Sequence, residues 1–334
     1  MEKRYRMPAE WEPHEATWLS WPKDPETFPG EILKKAEEAF VRIIGELQAG
    51  ERVNILVDDE NSENAVRRRL ASERVGMDNV SLHRIKSVDV WTRDYAPTFV
   101  KNAGGLVVAV KWIFNAWGNK YEELRKDDET GRRIAKAAGK EMLEPGIVLE
   151  GGSIETNGRG VVLTTEQCLL NRNRNPQISR EQIEGYLRDY LGAKRVVWLK
   201  NGIEGDDTDG HVDDIARFVN ENTILCAYEE NESDANSAAL KENFGILERS
   251  GFNVIKLPMP GEIRVLGRRV PASYANFYIA NVCVLVPVFG DRNDAAALEI
   301  IKGQFPGRKV VGIDCREYVY GFGAIHCSTQ QQPK

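Results

Sequence analysis

One cysteine near the carboxyl end of the sequence, Cys327, has neighbours that suit a reactive thiol. It lies in the polar segment YGFGAIHCSTQQQ (320–332), directly after His326. Exposure and a lowered pKa in such a segment favour the thiolate, which is the nucleophilic form. Cys327 is therefore a candidate nucleophile. The other cysteines are interpreted as small buried residues, namely Cys168, Cys226, Cys283 and Cys315.

A second polar segment, GDDTDGHVDD (205–214), surrounds one histidine with carboxylates. If the segment is a strand, His211 and Asp213 project from the same face, because side chains alternate along a strand. The pair could then act together. A metal site is less favoured, since the chain has only four histidines and neither an HxxxH nor an HExxH motif. A solvated acidic turn stays an open alternative.

Two further segments place a carboxylate beside residues of other types. In DVWTRDYAP (89–97), alternation puts Trp91 and Arg93 on one face and Asp94 on the other if a strand persists there. In EGGSIETNGRG (150–160), Glu150 directly follows the apolar run IVL. It is either a strand-ending surface residue or a buried carboxylate with a partner, and the sequence leaves both open.

Together these segments combine a thiol, two histidines and several carboxylates. The chain has no Gly-rich phosphate loop and no dinucleotide fingerprint, which disfavours nucleotide chemistry. A thiol with a histidine suits a cysteine hydrolase, in which the thiolate attacks an electrophilic carbon and the histidine moves protons. Carboxylates fit that scheme when the electrophile is a cation, because paired carboxylates hold a planar guanidinium by charge-assisted hydrogen bonds.

The elements that must position these residues include several amphipathic helices. Residues 30–48 place Ile32, Phe40 and Leu47 on one apolar stripe at helical spacing. Shorter stripes of the same period predict five more helices. Their approximate ranges are 62–74, 128–140, 178–191, 234–250 and 293–304.

The β-rich runs come in pairs, with a polar segment between the members of each pair. The pairs are VSLHRI with GLVVAVKWI, GIVLE with GVVLTT, RVVWL with TILCAY, and NVIKL with VCVLVPV. The last run, KVVGID, has no partner downstream, so we expect it to pair with ATWLSW (16–21) and close a ring. This predicts five units of strand, connecting segment, strand and helix, at a spacing of roughly 55 residues.

Equivalent loops of such a ring converge on its axis, so the polar segments would share one central site. We therefore predict a single catalytic domain over residues 1–334, closed by the N- and C-terminal segments. The alternatives are an α/β sandwich with scattered loops and, for a chain of this length, a division into two domains.

Composition limits the class of protein. Hydrophobic residues make up 42% and charged residues 29%, the balance of an ordinary globular chain. A net charge of -6 and the lack of a long basic run disfavour nucleic acid as a partner. No signal peptide or membrane span of roughly 20 apolar residues is present, so we expect a cytoplasmic protein without a membrane partner. Widely spaced cysteines without a CxxC pair disfavour a disulfide framework and structural zinc.

Over nearly its whole length the chain resembles the agmatine deiminases and the related bacterial, Porphyromonas-type peptidylarginine deiminases of the pentein superfamily. Eight ordered motifs carry the resemblance: AEWEPHEATWLSWP, DVWTRDYAP, FNAWGNKY, EGGSIETNGRG, TEQCLLNRNRNP, DDTDGHVDDIARF, SYANFY and IHCSTQQ. The resemblance implies a five-bladed α/β propeller that needs neither cofactor nor metal. It also implies a small cationic guanidine such as agmatine as substrate, and it is compatible with a homo-oligomer.

The resemblance implies a covalent mechanism. Cys327 matches the family nucleophile, His211 the general acid and base, and Glu150 the partner of that histidine. The thiolate would attack the guanidinium carbon, the histidine would protonate the departing ammonia, and water would then release the ureido product from an S-alkylthiouronium intermediate. With agmatine the products would be N-carbamoylputrescine and ammonia.

Five other residues match substrate-binding positions of the family. Asp94 and Asp213 match the carboxylates that grip the guanidinium, and Asp207 matches a further carboxylate. Trp91 and Trp21 match aromatic positions near the ligand. Nearby carboxylates would raise the pKa of the free thiol, while a bound cation would lower it, so thiolate formation is expected to be coupled to substrate binding.

The chain departs from the family pattern where the far end of the substrate would be distinguished. Phe322 and Ala324 stand close to the nucleophile where glycine and asparagine are usual. Three other departures are Ala96, Asn119 and Asn157.

These departures keep three alternatives open. The substrate could be peptidyl or free arginine, for which Arg93 and Arg174 are candidate partners of the α-carboxylate. The same site could support amidinotransfer, in which an amine resolves the intermediate. A non-catalytic binding member of the fold, such as a ribosome anti-association factor, is disfavoured by the joint presence of a cysteine, a histidine and paired aspartates.

Overall fold

All six predicted helices are present in the computed structural model, which describes residues 5–334. The first, α1 (Glu31–Leu47), buries the predicted stripe that includes Ile32, Phe40 and Leu47. The helix that starts at Arg180 has a capping box formed by Ser179 and Gln182, which satisfies free N–H groups of its first turn. The other helices are α2 (Glu60–Ser72), α3 (Asp127–Ala137), α4 (Arg180–Leu191), α5 (Ser237–Arg249) and α6 (Asp294–Gln304).

The strands form five sheets, called blades 1 to 5, and each blade repeats one design. A first strand pairs antiparallel with a second, and a helix then leads to a third strand that pairs parallel with the second. Parallel neighbours need such a crossover, and these helices supply it. In each blade, one helix leads from the antiparallel pair to the next strand, which is parallel. In blades 1 to 5 this helix is α1, α3, α4, α5 and α6, in that order.

The strand bounds follow the blade order. Blade 1 contains Gln330–Pro333, His14–Ser20, Arg52–Val57 and Val80–Arg84, and blade 2 contains Tyr5–Arg6, Thr98–Asn102, Val107–Val110 and Glu141–Leu143. Blade 3 contains Glu155–Thr156, Val161–Thr165 and Arg195–Leu199, and blade 4 contains Ala216–Asn220, Thr223–Tyr228 and Asn253–Pro258. Blade 5 contains Tyr278–Ile279, Cys283–Val288 and Lys309–Asp314, and a separate hairpin pairs Arg264–Val265 with Arg268–Arg269.

The predicted pairing of KVVGID with ATWLSW is wrong. Lys309–Asp314 pairs in parallel with Cys283–Val288, inside blade 5. His14–Ser20 pairs instead with Gln330–Pro333, antiparallel, with Gln331 opposite Thr17. The two ends of the chain therefore meet in blade 1, and the strand that joins them is the polar run QQQP.

The predicted grouping of strands into pairs is also wrong, because three of the four pairs join strands of neighbouring blades, and GIVLE forms only an isolated bridge between Val148 and Ile113. For example, Arg195–Leu199 lies in blade 3 and Thr223–Tyr228 in blade 4. Strands on either side of a helix pair with each other in parallel, as a helical crossover allows. Each polar segment consequently runs from one blade to the next, and residues of different segments contact one another, as described below.

The blades enclose a large apolar core. Trp18, Phe28, Phe40, Phe218 and Phe277 are among its fully buried side chains. A smaller apolar cluster lies between blades 2 and 3 and the helix α4. Within residues 5–334, no helix combines the length and the apolar character that crossing a membrane requires.

Candidate active site

A cavity of about 580 Å³ opens where the polar segments meet, and four of the predicted site residues line it. These four are Cys327, Asp94, Asp207 and Trp91. His211 and Asp213 lie directly behind this lining. The His211 Nδ1 atom is 3.8 Å from Asp94 Oδ1, and Asp213 Oδ2 is 3.7 Å from Cys327 Sγ.

Cys327 is held in a buried turn rather than in a frayed tail. Its carbonyl oxygen accepts a hydrogen bond from the backbone N–H of Arg93 at 3.1 Å, and only 6% of the residue is exposed. A Cβ atom on Gly323 would lie 2.4 Å from Trp91 Cζ3 and 3.0 Å from the Cβ atom of Cys327. The chain can therefore pass between these side chains only because residue 323 is glycine.

Asp94 lies on a helical turn, Thr92–Tyr95, so the strand on which the alternation argument was conditional does not persist there. Its Oδ1 atom accepts a hydrogen bond from the Gly152 N–H at 2.9 Å, and its Oδ2 atom accepts one from Trp117 Nε1 at 2.9 Å. Trp117 has φ 54, an unusual value for a residue other than glycine, and such conformations concentrate at functional sites. Two hydrogen-bond donors from different segments of the chain therefore fix the orientation of the Asp94 carboxylate.

His211 and Asp213 are not on a strand either, because Val212–Asp214 forms a short 3-10 turn. Both side chains are nevertheless buried at the site. Gly152 makes this arrangement possible, since a Cβ atom there would lie 2.5 Å from His211 Nδ1. The two glycines after Glu150 are therefore part of the site, although their role could not be predicted from their type.

Glu150 is a buried carboxylate with a partner, which decides between the two alternatives left open by the sequence. Its Oε1 atom accepts a hydrogen bond from Arg174 Nε at 2.7 Å, and both side chains are fully buried. No described residue gives Glu150 Oε2 or either ring nitrogen of His211 a partner with hydrogen-bond geometry. Single atoms of Glu150, Cys168 and His211 all lie within 4.8 Å of one another. The carboxylate thus faces the histidine closely, without a direct hydrogen bond.

The same three residues have the spacing of a metal site, but their surroundings disfavour a metal ion. The Arg174 guanidinium already neutralises Glu150 and also donates to Asp209 and to the Thr208 carbonyl oxygen. A second cation beside this guanidinium would be repelled at short range. A second group with metal-site spacing is formed by Asp213, Asp214 and Cys327, of which only Cys327 lines the cavity.

The protonation of His211 follows from its neighbours. Burial opposes a charged imidazole, but Asp94, the Cys168 sulfur and Asp213 outweigh it and raise the pKa of His211 well above its ordinary value. The protonated ring is therefore favoured near neutral pH. In this form the ring can donate a proton to a leaving group in the cavity.

Asp213 is held as an anion by its buried neighbours, which form a chain of polar contacts. Its Oδ2 atom is 2.7 Å from His326 Nδ1, and His326 Nε2 is 2.8 Å from Glu10 Oε2. Burial raises the pKa of Asp213, but His326 and His211 more than offset this, so the pKa lies below its ordinary value. No described residue pairs with Asp213 Oδ1. This oxygen remains as an acceptor for an incoming cation.

Glu10, from the motif EWEPHE, links this chain of contacts to two arginines. Its Oε1 atom accepts from Arg217 at 2.8 Å, and its Oε2 atom accepts from Arg93 at 3.3 Å. Arg217 also pairs with Glu155 at 3.0 Å. The N-terminal segment therefore contributes to the support of Asp213, a role that no sequence pattern indicated.

The thiol of Cys327 is less acidic than its sequence neighbours suggested. Burial raises its pKa well above the ordinary value, and Asp213, Asp214 and Asp94 raise it further. The expectation of a lowered pKa, based on the polar segment alone, is therefore wrong for the free protein. The other expectation, given with the family resemblance, is that nearby carboxylates raise the pKa of the free thiol, and the direction of the Cys327 pKa agrees with it. A cation placed among the same carboxylates would reverse their effect.

The remaining predicted residues differ in their distance from the cavity. The Asp207 carboxylate accepts a hydrogen bond from the Tyr121 hydroxyl, and burial raises its pKa to about 6. Trp91 is stacked on Tyr318, with ring centroids 5.9 Å apart and 13° between the planes. Trp21 instead packs edge-on against the Phe40 ring and is not among the lining residues.

The charges around the cavity are mostly negative. Neither Arg93 nor Arg174, the predicted partners of a substrate α-carboxylate, lines it. The one cationic side chain among the described lining residues is the exposed Arg268, whose guanidinium lies over the Phe322 ring, 3.6 Å from its centroid. Seven carboxylates line the cavity: Asp24, Glu26, Asp89, Asp94, Glu122, Glu123 and Asp207.

Comparison with known proteins identifies a family and full-length relatives of this chain. The family described as Porphyromonas-type peptidyl-arginine deiminase matches residues 6–333 of the chain. The agmatine deiminase of Ectopseudomonas mendocina is 39% identical to this chain in an alignment of 358 positions. The alignment covers 98% of this chain and 95% of that protein.

Solved structures of agmatine deiminases have a fold similar to that of this chain. The agmatine deiminase of Enterococcus faecalis, captured catalysing its reaction, superposes with a TM-score of 0.92 at 36% identity, over 99% of this chain and 96% of that one. An agmatine deiminase of C. jejuni with substrate bound superposes with a TM-score of 0.91 at 30% identity, over 99% and 97% of the two chains. With the five blades described above, these likenesses confirm the predicted α/β propeller.

Proposed function

The chain belongs to the Porphyromonas-type peptidyl-arginine deiminase family, and on that premise we propose that it hydrolyses agmatine to N-carbamoylputrescine and ammonia. The observation that carries the proposal is a buried cysteine facing carboxylates at a cavity whose charged lining residues are mostly acidic. Carboxylates next to a nucleophile are unfavourable unless a cation binds between them. A guanidinium is such a cation, and its carbon is an electrophile.

We propose that the guanidinium is held between Asp94 and Asp213. Asp213 offers its unpaired Oδ1 atom, and Asp94 is oriented by Gly152 and Trp117. Burial raises the pKa of Asp94, and Asp213 and Glu150 raise it further, although His211 opposes them. A bound cation favours the ionised form of Asp94, so substrate and carboxylate stabilise each other.

The proposed first step begins when the bound guanidinium lowers the pKa of the Cys327 thiol, which releases its proton to solvent, and the thiolate Sγ then bonds to the guanidinium carbon. The resulting tetrahedral adduct expels one nitrogen as ammonia when protonated His211 gives its proton to that nitrogen. The C–N bond breaks, and an S-alkylthiouronium remains on the cysteine. Because the pKa of His211 is raised, the proton is available near neutral pH.

The proposed second step returns the cysteine to its starting state. Neutral His211 removes a proton from a water molecule, which attacks the thiouronium carbon. The C–S bond then breaks, Cys327 leaves as the thiolate, the hydroxyl proton of the adduct passes to solvent, and the ureido product departs. Glu150 faces His211 within 4.8 Å and is held by Arg174, so we propose that it stabilises the protonated histidine.

Five inter-blade segments contribute to this site, and we therefore propose that the whole chain acts as one catalytic unit. Asp94, Glu150, His211 and Cys327 each come from a different segment, and Asn276 represents the fifth. The proposed site needs no cofactor or metal ion. The expected cytoplasmic location and a homo-oligomeric state stay predictions.

The charge of the cavity favours agmatine over free arginine. Agmatine carries two cationic ends, whereas free arginine adds a carboxylate that seven lining carboxylates would repel. We expect kcat/KM for agmatine to exceed that for free arginine, or for an arginine blocked at both ends, by about 100-fold or more. Ammonia release from the three compounds, measured at equal concentrations, tests this expectation.

The products of the same assay separate the alternatives. Equal turnover of arginine or the blocked arginine would contradict the proposed substrate and leave the guanidine chemistry intact. If ammonia were absent and the amidino group appeared on an added amine, the reaction would be amidinotransfer. The proposal predicts one ureido product for each ammonia.

A further inference from the structure

Asn276 contacts the sulfur of Cys327, although its type and spacing in the motif SYANFY gave it no role. It lies in the connection between blades 4 and 5, and it is fully buried. Its Nδ2 atom is 3.0 Å from Cys327 Sγ and 2.9 Å from Asp214 Oδ1. Both N–H bonds of the side-chain amide therefore point at acceptors of the reactive centre.

The orientation of the Asn276 amide is fixed by the backbone of the nucleophile turn. Its Oδ1 atom accepts hydrogen bonds from the N–H groups of His326 at 2.9 Å and Cys327 at 3.3 Å. Backbone N–H groups only donate, so the oxygen must face them and the NH₂ group must face the sulfur. A flipped amide would place donors against donors.

The groups around Cys327 Sγ are mostly unfavourable to a negative charge. Of the described side chains, only Asn276 donates a hydrogen bond to this sulfur. The backbone of Ala324 also helps to lower the pKa of the thiol. The titratable groups that face the cysteine are Asp94, Asp213, Asp214 and Tyr318, and His326 precedes it in the chain.

We infer that Asn276 is a catalytic residue whose amide donates a hydrogen bond to the Cys327 thiolate and keeps the sulfur at the cavity wall. A thiolate accepts a hydrogen bond more strongly than a thiol, so a fixed N–H donor stabilises the reactive form. The carbonyl oxygen of the same side chain holds the turn that carries the nucleophile. This inference rests on the proposed role of Cys327 as nucleophile.

Two variants separate the loss of the hydrogen-bond donor from the addition of a negative charge. Asn276→Ala removes the amide without adding charge, and Asn276→Asp keeps an oxygen toward the two backbone N–H groups. We expect the midpoint of the pH profile for alkylation of Cys327 by iodoacetamide to rise by about one unit or more in both variants. The modified site is identified by peptide mapping, because four other cysteines are present.

Turnover gives a second readout. Asn276 does not line the cavity, so KM for agmatine should change little, while kcat at a fixed neutral pH should fall about 10-fold or more. The basic shift of the kcat profile should match the shift in alkylation. A merely structural role would lower thermal stability without moving either profile.

Asn243 supplies the matched control. It is fully buried, and its amide also bridges backbone groups, accepting from the Lys200 N–H and donating to the Asn201 carbonyl oxygen, both at 2.8 Å. Asn243→Ala and Asn243→Asp should lower thermal stability and leave the alkylation midpoint unchanged.

An unchanged alkylation midpoint in folded Asn276→Ala would overturn the inference, and so would a shift in Asn276→Asp alone. Asn276→Asp keeps an oxygen toward the turn, so an unchanged midpoint in this variant would overturn the inference even if the alanine variant fails to fold. Alkylation requires no substrate, so it is independent of the proposed function. If the unaltered protein releases no ammonia from agmatine but both midpoints rise, the proposed function fails while the role of Asn276 stands.

Discussion

Replacing Cys327 with alanine should abolish ammonia release from agmatine, with a loss in kcat of about 10⁴-fold or more. The sulfur is the only atom proposed to bond to the guanidinium carbon, and the cavity offers no thiol besides Cys327 among its described lining residues. Without this bond, the carboxylates bind the cation but provide no covalent route. Ammonia release at saturating agmatine, followed over hours, measures the loss.

Cys283→Ala is the matched control for this change. Cys283 is also buried, but it lies on a strand of blade 5 and outside the cavity lining. Its replacement should leave turnover within about twofold of the unaltered protein. Substantial ammonia release by Cys327→Ala, with binding of agmatine retained, would remove the covalent mechanism.

Asp213→Asn should lower turnover of agmatine and at the same time increase the reactivity of the thiol. Asparagine has the same shape, and its oxygen can still accept from His326, which leaves its NH₂ group facing the guanidinium. We expect kcat/KM to fall about 100-fold or more, because a donor would replace the acceptor Oδ1. The negative charge of Asp213 raises the pKa of Cys327, so its removal should move the alkylation midpoint to lower pH.

These two opposite effects distinguish an electrostatic role from general damage. Asp294→Asn makes the same chemical change at a carboxylate that accepts from Tyr274 and from the N–H groups of residues 289–291, outside the cavity lining. It should alter neither kcat/KM nor the alkylation midpoint. Parallel loss of turnover and of alkylation in Asp213→Asn would show that the variant has lost the site, and would contradict the proposed role.

The helices were predictable because each has an apolar stripe of period 3.6 against the core. Strand pairing was less predictable, since it depends on partners distant in sequence. The strand Gln330–Pro333 gave no apolar signal, yet the strand is buried, and the side chains of Gln331 and Gln332 are hydrogen-bonded. Gln332, for example, accepts from Trp18 Nε1 at 2.9 Å and donates to Glu15 at 2.8 Å. A strand stabilised in this way resembles a polar loop in the sequence.

The candidate site was predictable where residue type alone suggests chemistry, as for Cys327, His211 and the aspartates. The sequence did not indicate those residues whose role depends on which side chains they contact in the folded chain. Asn276 and Glu10 have ordinary types, and their importance arises from blades that meet only in the folded chain. The direction of the Cys327 pKa shift likewise depends on burial, which its polar neighbours in the sequence concealed.

An acidic environment around a buried thiol has a consequence for selectivity. In the free protein the thiolate is disfavoured, which should protect Cys327 from adventitious alkylation and oxidation. Binding of a guanidinium would supply the missing positive charge and lower the pKa of the thiol. Reactivity would then be coupled to the presence of substrate.

The most direct test of the covalent mechanism is the mass of protein mixed with agmatine and quenched in acid during the first turnovers. We expect a fraction of the protein to gain the mass of agmatine less one ammonia. Peptide mapping should place this gain on Cys327, and the adduct should disappear as agmatine is consumed. An adduct on another residue, or agmatine hydrolysis with no adduct at any quench time, would contradict the account.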